Sequence, residues 1–302
     1  MRIGLSLSST HLVSDPAQGA AAMIERAAAG AAAGLDFLTV GDRHATGAPY
    51  FQNTPMMGRL VAEWPANPEQ QIGCLFLLPL WNPVLVAEHV ATLASLHPGR
   101  FIVQTGAGGG EGQFAAMGRR LNRRGRDVEE SIRVIRGLLA GETVTSERFD
   151  LRDAQVSPTT TQAPEWWLGG HSDAAIDRAA RLGGSLYLGP TSQAAAADAI
   201  DRYRRACDEH GHTPERIVAR IDLLVADTNA EADTVADAIV AAGYRGMSRA
   251  DVVAGDVDLV ASVIERYRPL GVTDVAIRQI SAPRPVAVRS VELLGAVRDA
   301  VN

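Results

Sequence analysis

Residues Gln71 to Gly110 constrain the fold more than any other part of the chain. An apolar run from Gln71 to Leu78 reads as a buried strand and Pro83 to Leu96 as a proline-started helix. Arg100 to Thr105 reads as a second buried strand, and Gly106 to Gly110 is a glycine-rich run. Strand, crossover and strand in that order make a parallel unit, so the glycines fall at the carboxyl end of a strand, where open backbone and ligands meet.

The same alternation recurs along the chain. Strand-like runs end near Ser8, Gly41, Leu78, Thr105, Leu168, Leu188, Ala226 and Ile280. Between most of them lie segments of helical period, such as Ala17 to Ala33, Arg126 to Leu139, Ala174 to Leu182 and Ser192 to Glu209. Eight such units in 302 residues predict an α/β fold, a TIM (β/α)8 barrel in one domain over residues 1–302, rather than a doubly wound sheet. Thr143 to Pro164 reads as a loop or hairpin inserted before the fifth strand. The long connection from Arg43 to Pro68, with a short helix at Pro55 to Trp64, falls where barrels grip substrates. Asp15 caps the first helix, Pro16 opens it, and Gly34 ends it.

Charge and composition narrow the chemistry. A net charge of −6, with no basic run longer than the Arg119 to Arg126 cluster, leaves no electrostatic footprint for nucleic acid. Cys74 and Cys207 lie far apart, so neither a disulfide framework nor a zinc site is expected. The strand pattern begins at Arg2 and no apolar run is long enough to span a bilayer, so a cytoplasmic location without membrane contact is expected. The chain has no lysine, which removes Schiff-base and pyridoxal phosphate chemistry.

Two strand ends carry reactive side chains. Gly41-Asp42-Arg43-His44 places a carboxylate and an imidazole two residues apart, either as a proton-handling pair or as a solvated surface loop. Gly169-Gly170-His171-Ser172 opens a helix, and it serves either as an anion site at free N–H groups or as plain capping by Ser172. The Gly106 to Gly110 run lacks the spacing of a dinucleotide fingerprint. Only His44 and His171 sit at strand ends, which disfavours a metal-dependent barrel hydrolase.

These residues, taken in order, carry a resemblance. Ile3-Gly4-Leu5-Ser6, Val40 to His44, Leu77 to Glu88, Gly99-Arg100-Phe101, Gly106-Ala107-Gly108, Leu168-Gly169-Gly170 and Val272 to Arg278 resemble the bacterial luciferase-like superfamily of flavin-dependent oxidoreductases. The resemblance implies an oxidoreductase with a reduced flavin-type cofactor, deazaflavin F420 or FMN, at the carboxyl face, acting on a small organic substrate. It places Asp42 and His44 in the catalytic role. Ser6, Cys74, Leu75, Gln104, Thr105 and Gly106 would bind the cofactor, and Gly169, Gly170, His171 and Ser172 its phosphate. Arg43 stands where the flavin mononucleotide branch often has histidine, and the phosphate arginine of some of those members has no counterpart in Gly106 to Gly110, a lean toward F420. The resemblance also implies a non-prolyl cis peptide at Cys74-Leu75 and a homodimer formed through Met56 to Leu60 and Val84 to Leu96. The rival from another class is a non-catalytic flavin-binding barrel.

Overall fold

The computed structural model describes every residue of the chain except Leu12, Ser14 and Ser281. In chain order the strands are β1 (Arg2–Leu7), β2 (Phe37–Val40), β3 (Gln71–Leu77), β4 (Ile102–Gly106), β5 (Val144–Ser146), β6 (Leu151–Ala154), β7 (Glu165–Gly169), β8 (Ser185–Leu188), β9 (Ile217–Val225), β10 (Val253–Gly255) and β11 (Asp274–Gln279). The helices are α1 (Pro16–Ala32), α2 (Asn53–Leu60), α3 (Pro83–Ala94), α4 (Glu111–Ala116), α5 (Arg124–Leu139), α6 (Asp173–Arg181), α7 (Gln193–His210), α8 (Asn229–Ala241), α9 (Val257–Glu265) and α10 (Arg284–Ala300).

Strands β1, β2, β3, β4, β7, β8, β9 and β11 pair in parallel in that circular order, and the β8–β9 pairing closes the ring. The result is the TIM (β/α)8 barrel that the alternation predicts. The expected insertion before the fifth barrel strand is the antiparallel β5–β6 hairpin. Asp15 accepts a hydrogen bond from the Ala17 amide at 2.9 Å, and Gly34 takes φ of 69°, as the sequence signals require. The short helix in the long connection begins earlier than expected, at Asn53, and stops at Leu60 before a single 3-10 turn.

Strand β9 is longer than its neighbours, and its outer edge is shared. Residues Ile217 to Ala219 pair with β8, whereas Leu223 to Val225 pair with the short β10. Arg220, Ile221 and Asp222 lie between these two pairings and border a cleft of about 670 Å³ with Arg245 and the Pro190 to Gln193 loop.

Side chains fill the lumen in layers because alternate residues of each strand face it. At the amino-terminal end, the Arg2 guanidinium is bound by Gln71, Asp274 and Glu165, and Glu165 also accepts the Trp167 indole N–H at 2.6 Å. Above this polar layer Phe37, Ile102, Trp167, Tyr187, Val218 and Ala276 form a compact apolar plug, with Phe37 and Trp167 edge to face at 5.0 Å. A Cβ on Gly4 would lie 2.2 Å from the Phe37 ring, so only glycine admits that ring. The lumen is therefore closed from below, and open space remains at the carboxyl rim. A second apolar layer, including Ile3, Leu5, Cys74, Phe76, Val86 and Ile135, joins the barrel to its helices.

Candidate active site

Three groups of residues meet at the carboxyl rim. The first is an apolar platform. Leu75 and Leu77 are partly exposed on one face of β3, while Cys74 and Phe76 on the other face are buried. The position of a Cβ on Gly106 lies 3.0 Å from Leu77 and 3.7 Å from Leu75, so leucines and glycine adjoin across the β3–β4 pair. Gln104 and Thr105 are buried one strand away.

The Cys74-Leu75 peptide departs from expectation. Among the described residues the only cis bond is Ser157-Pro158. The β3–β4 ladder runs in unbroken register from Gly73 to Leu77, with no residue to spare for a bulge. Cys74 also turns its side chain into the helical layer, because Gly73 before it faces lumen residue Ile102 and side chains alternate. Its thiol is pushed up by burial, with Asp42 adding to the effect, and the strand presents Leu75 instead.

The second group is an anion cleft of about 620 Å³ between the ends of β4 and β7 and the starts of α5 and α6. Thr105, Gly106, Gly169, Gly170, Ser172, Arg124 and Arg178 border it. Ser172 caps α6 through its backbone only, and it lines the cleft beside the first turn of this nine-residue helix. Arg178 binds Glu129 at 3.0 Å, and Arg124 is exposed and reaches the cleft from the start of α5. His171 stands apart, with its Nε2 toward Gly189 after β8. Burial and then Arg202 and Arg220 hold its imidazole below the usual range, so it is neutral at pH 7.

Gly170 is the tightest point of this loop. Its φ is 155°, and a Cβ would lie 2.2 Å from the Ala175 Cβ in the first turn of α6. Gly170→Ala is expected to cost about 1–3 kcal/mol of stability by overpacking that turn. It should also weaken phosphate binding by displacing the α6 amides. Urea unfolding and calorimetric titration with inorganic phosphate check the two effects.

The third group is the loop after β2. Asp42 is buried, and its Oδ2 accepts the Leu77 amide at 2.7 Å and the Trp81 indole N–H at 2.8 Å. Its Oδ1 lies 3.0 Å from His44 Nε2, but ring and carboxylate are not aligned, so neither atom has a well-directed hydrogen bond. His44 sits edge-on to Trp81 at 5.2 Å, and the Gln113 side chain donates to the His44 carbonyl at 2.9 Å. Asp42 therefore ties the β2 loop to the turn after β3, with His44 held against that joint.

With the barrel, the platform and the cleft in place, comparison with known proteins decides the lineage. The sequence model of the luciferase-like monooxygenases matches residues 1–276. The chain belongs to the luciferase-like monooxygenase family. An uncharacterised protein of Mycobacterium tuberculosis is 33% identical over 114 residues, covering 37% of this chain and 40% of its own. An FMNH2-dependent dimethylsulfone monooxygenase of Pseudomonas fluorescens is 30% identical over 167 residues, covering 53% of this chain and 45% of its own. These matches span less than half the length of either relative. Among solved structures of luciferase-like fold, an F420-dependent secondary alcohol dehydrogenase superposes with a TM-score of 0.82 at 18% identity, covering 100% of this chain and 99% of that one.

Several rim residues carry no motif and were not singled out from the sequence. Arg178 lies six residues beyond Ser172 inside an ordinary helix, and Arg124 lies in the basic cluster that reads most simply as a solvated face. Trp81 and Gln113, which hold the His44 loop, come from later segments of the chain. The parity of β11 offered one usable signal. Asp274, Ala276 and Arg278 share a face, so a charge at the rim end of that strand points inward.

Proposed function

We propose that this luciferase-like chain binds a reduced flavin-type cofactor at the carboxyl rim and transfers its reducing power to a small organic substrate. One observation carries the reading: an apolar platform, an anion cleft and a histidine meet on a single rim above a sealed barrel floor. Leu75, Leu77 and Gly106 suit a flat ring, and Gly170, Ser172, Arg124 and Arg178 suit a phosphate. Among the described residues the buried Tyr187 and Thr39 hydroxyls lack hydrogen-bond partners, and both lie on lumen-facing positions.

When bound, a reduced deazaflavin supplies hydride, whereas reduced FMN also activates dioxygen. The remaining work falls to the chain itself. The platform excludes water, the cleft fixes the orientation, and His44 gives or takes a proton at Nε2 beside Asp42 Oδ1. Arg120, Arg123 and Arg126 flank Arg124 in the sequence and are exposed, and this favours F420, which carries further anionic groups past its phosphate. The named P. fluorescens relative keeps FMN as the second reading.

Anaerobic titration of the purified chain with reduced F420 and separately with reduced FMN tests both. Saturable binding of F420 at least about tenfold tighter than FMN is expected, as for one or two added charge-assisted hydrogen bonds. The reverse order selects the FMN reading, and binding of neither removes the redox reading. Met56, Met57 and Leu60 of α2 are buried within the fold, whereas Leu85 of α3 is 47% exposed. The homodimer of this reading therefore pairs through α3, and sedimentation of Leu85→Glu against the unaltered chain checks it.

A further inference from the structure

The side of the rim opposite the phosphate cleft holds a buried guanidinium that has no ion-pair partner among the described residues. Arg278, at the carboxyl end of β11, is 7% exposed. Its Nη2 donates to the Ser6 hydroxyl at 3.0 Å, and its Nε is buried with no acceptor among the described residues. The nearby carboxylates are engaged elsewhere. Asp222 is bound by Arg220 at 2.8 Å and by the Tyr244 hydroxyl at 2.9 Å, while Asp42 serves Leu77 and Trp81. Among the described residues no carboxylate forms an ion pair with Arg278. A charge buried in this way is costly unless something of opposite sign meets it.

The surroundings repeat the same need. The Tyr50 hydroxyl and Arg278 Nη2 both lie within 3.4 Å of the point where a side chain on Gly41 would begin. Glycine at this position lets the phenol and the guanidinium approach the end of β2 side by side, closer than a Cβ would allow. Burial, with Arg278 opposing, holds the Tyr50 phenol above its usual range, so it remains a proton donor at pH 7. Burial and then Arg278 lower Arg26 to about 10, and Arg245 is lowered by burial, Arg278 and Arg220. Arg278 thus depresses two neighbouring guanidiniums, and Asp222 offsets part of the effect at Arg245.

We propose that Arg278, with the Tyr50 hydroxyl, seats a carboxylate carried by the organic substrate, and hence that the enzyme acts on small organic acids. The planar guanidinium matches a carboxylate edge to edge, and its free Nε proton supplies one arm of the fork. In the ring, β11 and β1 stand opposite β4 and β7, so this seat is distinct from the phosphate cleft. It lies on the His44 side, since Gly41 immediately precedes Asp42. The proposal rests on the redox reading of the rim, yet its test does not depend on turnover.

The test is calorimetric titration of the purified full-length chain with benzoate, and with benzyl alcohol as its neutral counterpart. Benzoate is expected to bind saturably and benzyl alcohol at least about tenfold more weakly, the size of one charge-assisted contact. Arg278→Met should lose benzoate affinity by about 10- to 100-fold and keep its affinity for the reduced cofactor within about twofold. It should also melt no lower than the unaltered chain, because it removes an unpaired buried charge. Should that variant not fold, Arg278→Lys, which keeps the charge without the fork, is expected to lose about tenfold. Failure of benzoate to bind the unaltered chain, or equal binding in the variants, overturns the proposal. So does a parallel loss of cofactor affinity, which would make Arg278 a cofactor contact. If neither reduced cofactor binds any form while benzoate still depends on Arg278, the redox reading falls and the acid seat stands.

Discussion

Replacement of His44 by alanine is expected to lower turnover by about 10²- to 10⁴-fold while leaving cofactor affinity and folding nearly unchanged. The magnitude is that of a lost proton donor or acceptor. The selectivity follows from the seat proposed for the ring. His44 is outside the apolar platform and the anion cleft, and its loop is anchored through the Asp42 carboxylate and the His44 carbonyl, which the substitution leaves in place. Substrate-dependent oxidation of the reduced cofactor measures the first quantity, and fluorescence titration measures the second. Activity equal to that of the unaltered chain would return His44 to the role of a loop residue.

Arg2→Met is expected to destabilise the fold by about 3–5 kcal/mol, the cost of leaving buried charges without their partner. Glu165 and Asp274 side chains are 1% and 0% exposed, and Arg2 binds both. In the unaltered chain burial and the Arg2 charge oppose each other. Asp274 is raised, chiefly by burial against the pull of Arg2, whereas at Glu165 the Arg2 contacts and the Trp167 hydrogen bond outweigh burial and the carboxyl is lowered. Without Arg2 burial is opposed only by Arg216 and by the Trp167 and Thr273 hydrogen bonds, so both carboxyls move upward. A raised carboxyl contributes stability below its unfolded value and loses it as pH rises through the folded one. The variant should therefore regain stability as pH falls from about 8 to about 5, and the unaltered chain should show a smaller effect of this kind. Urea midpoints at both pH values decide the matter, and an unchanged midpoint at pH 8 would show that Arg2 is dispensable.

The barrel was legible in the sequence because parallel strands buried on both faces read as short continuous apolar runs, and because Pro and Gly punctuate the helices between them. Asp15, Pro16 and Gly34 illustrate this at α1. The site was legible only in part. Gly170 and Ser172 announce a helix start with open backbone, and Asp42 and His44 stand at a strand end, so local spacing was sufficient. Arg178, Arg124, Tyr50 and Arg278 reach the rim from four separate segments, and only tertiary closure places them together. The expected cis bond at Cys74-Leu75 came from resemblance, and no local signal at Gly73 to Leu75 set it. In this chain the register of β3 against β4 leaves no room for the distortion.

The divided edge of β9 separates two duties that most of the ring combines. Its lower residues hold the cylinder shut against β8, and its upper residues answer to β10 and the 244–251 segment. That segment forms no rung of the closed ladder. Exchanging the exposed cleft residues Arg245 and Ala250 between relatives is accordingly expected to alter binding in that cleft while the melting temperature stays close to its value. The architecture thus grants one wall of the chamber freedom to diverge while the remaining seven strands stay fixed.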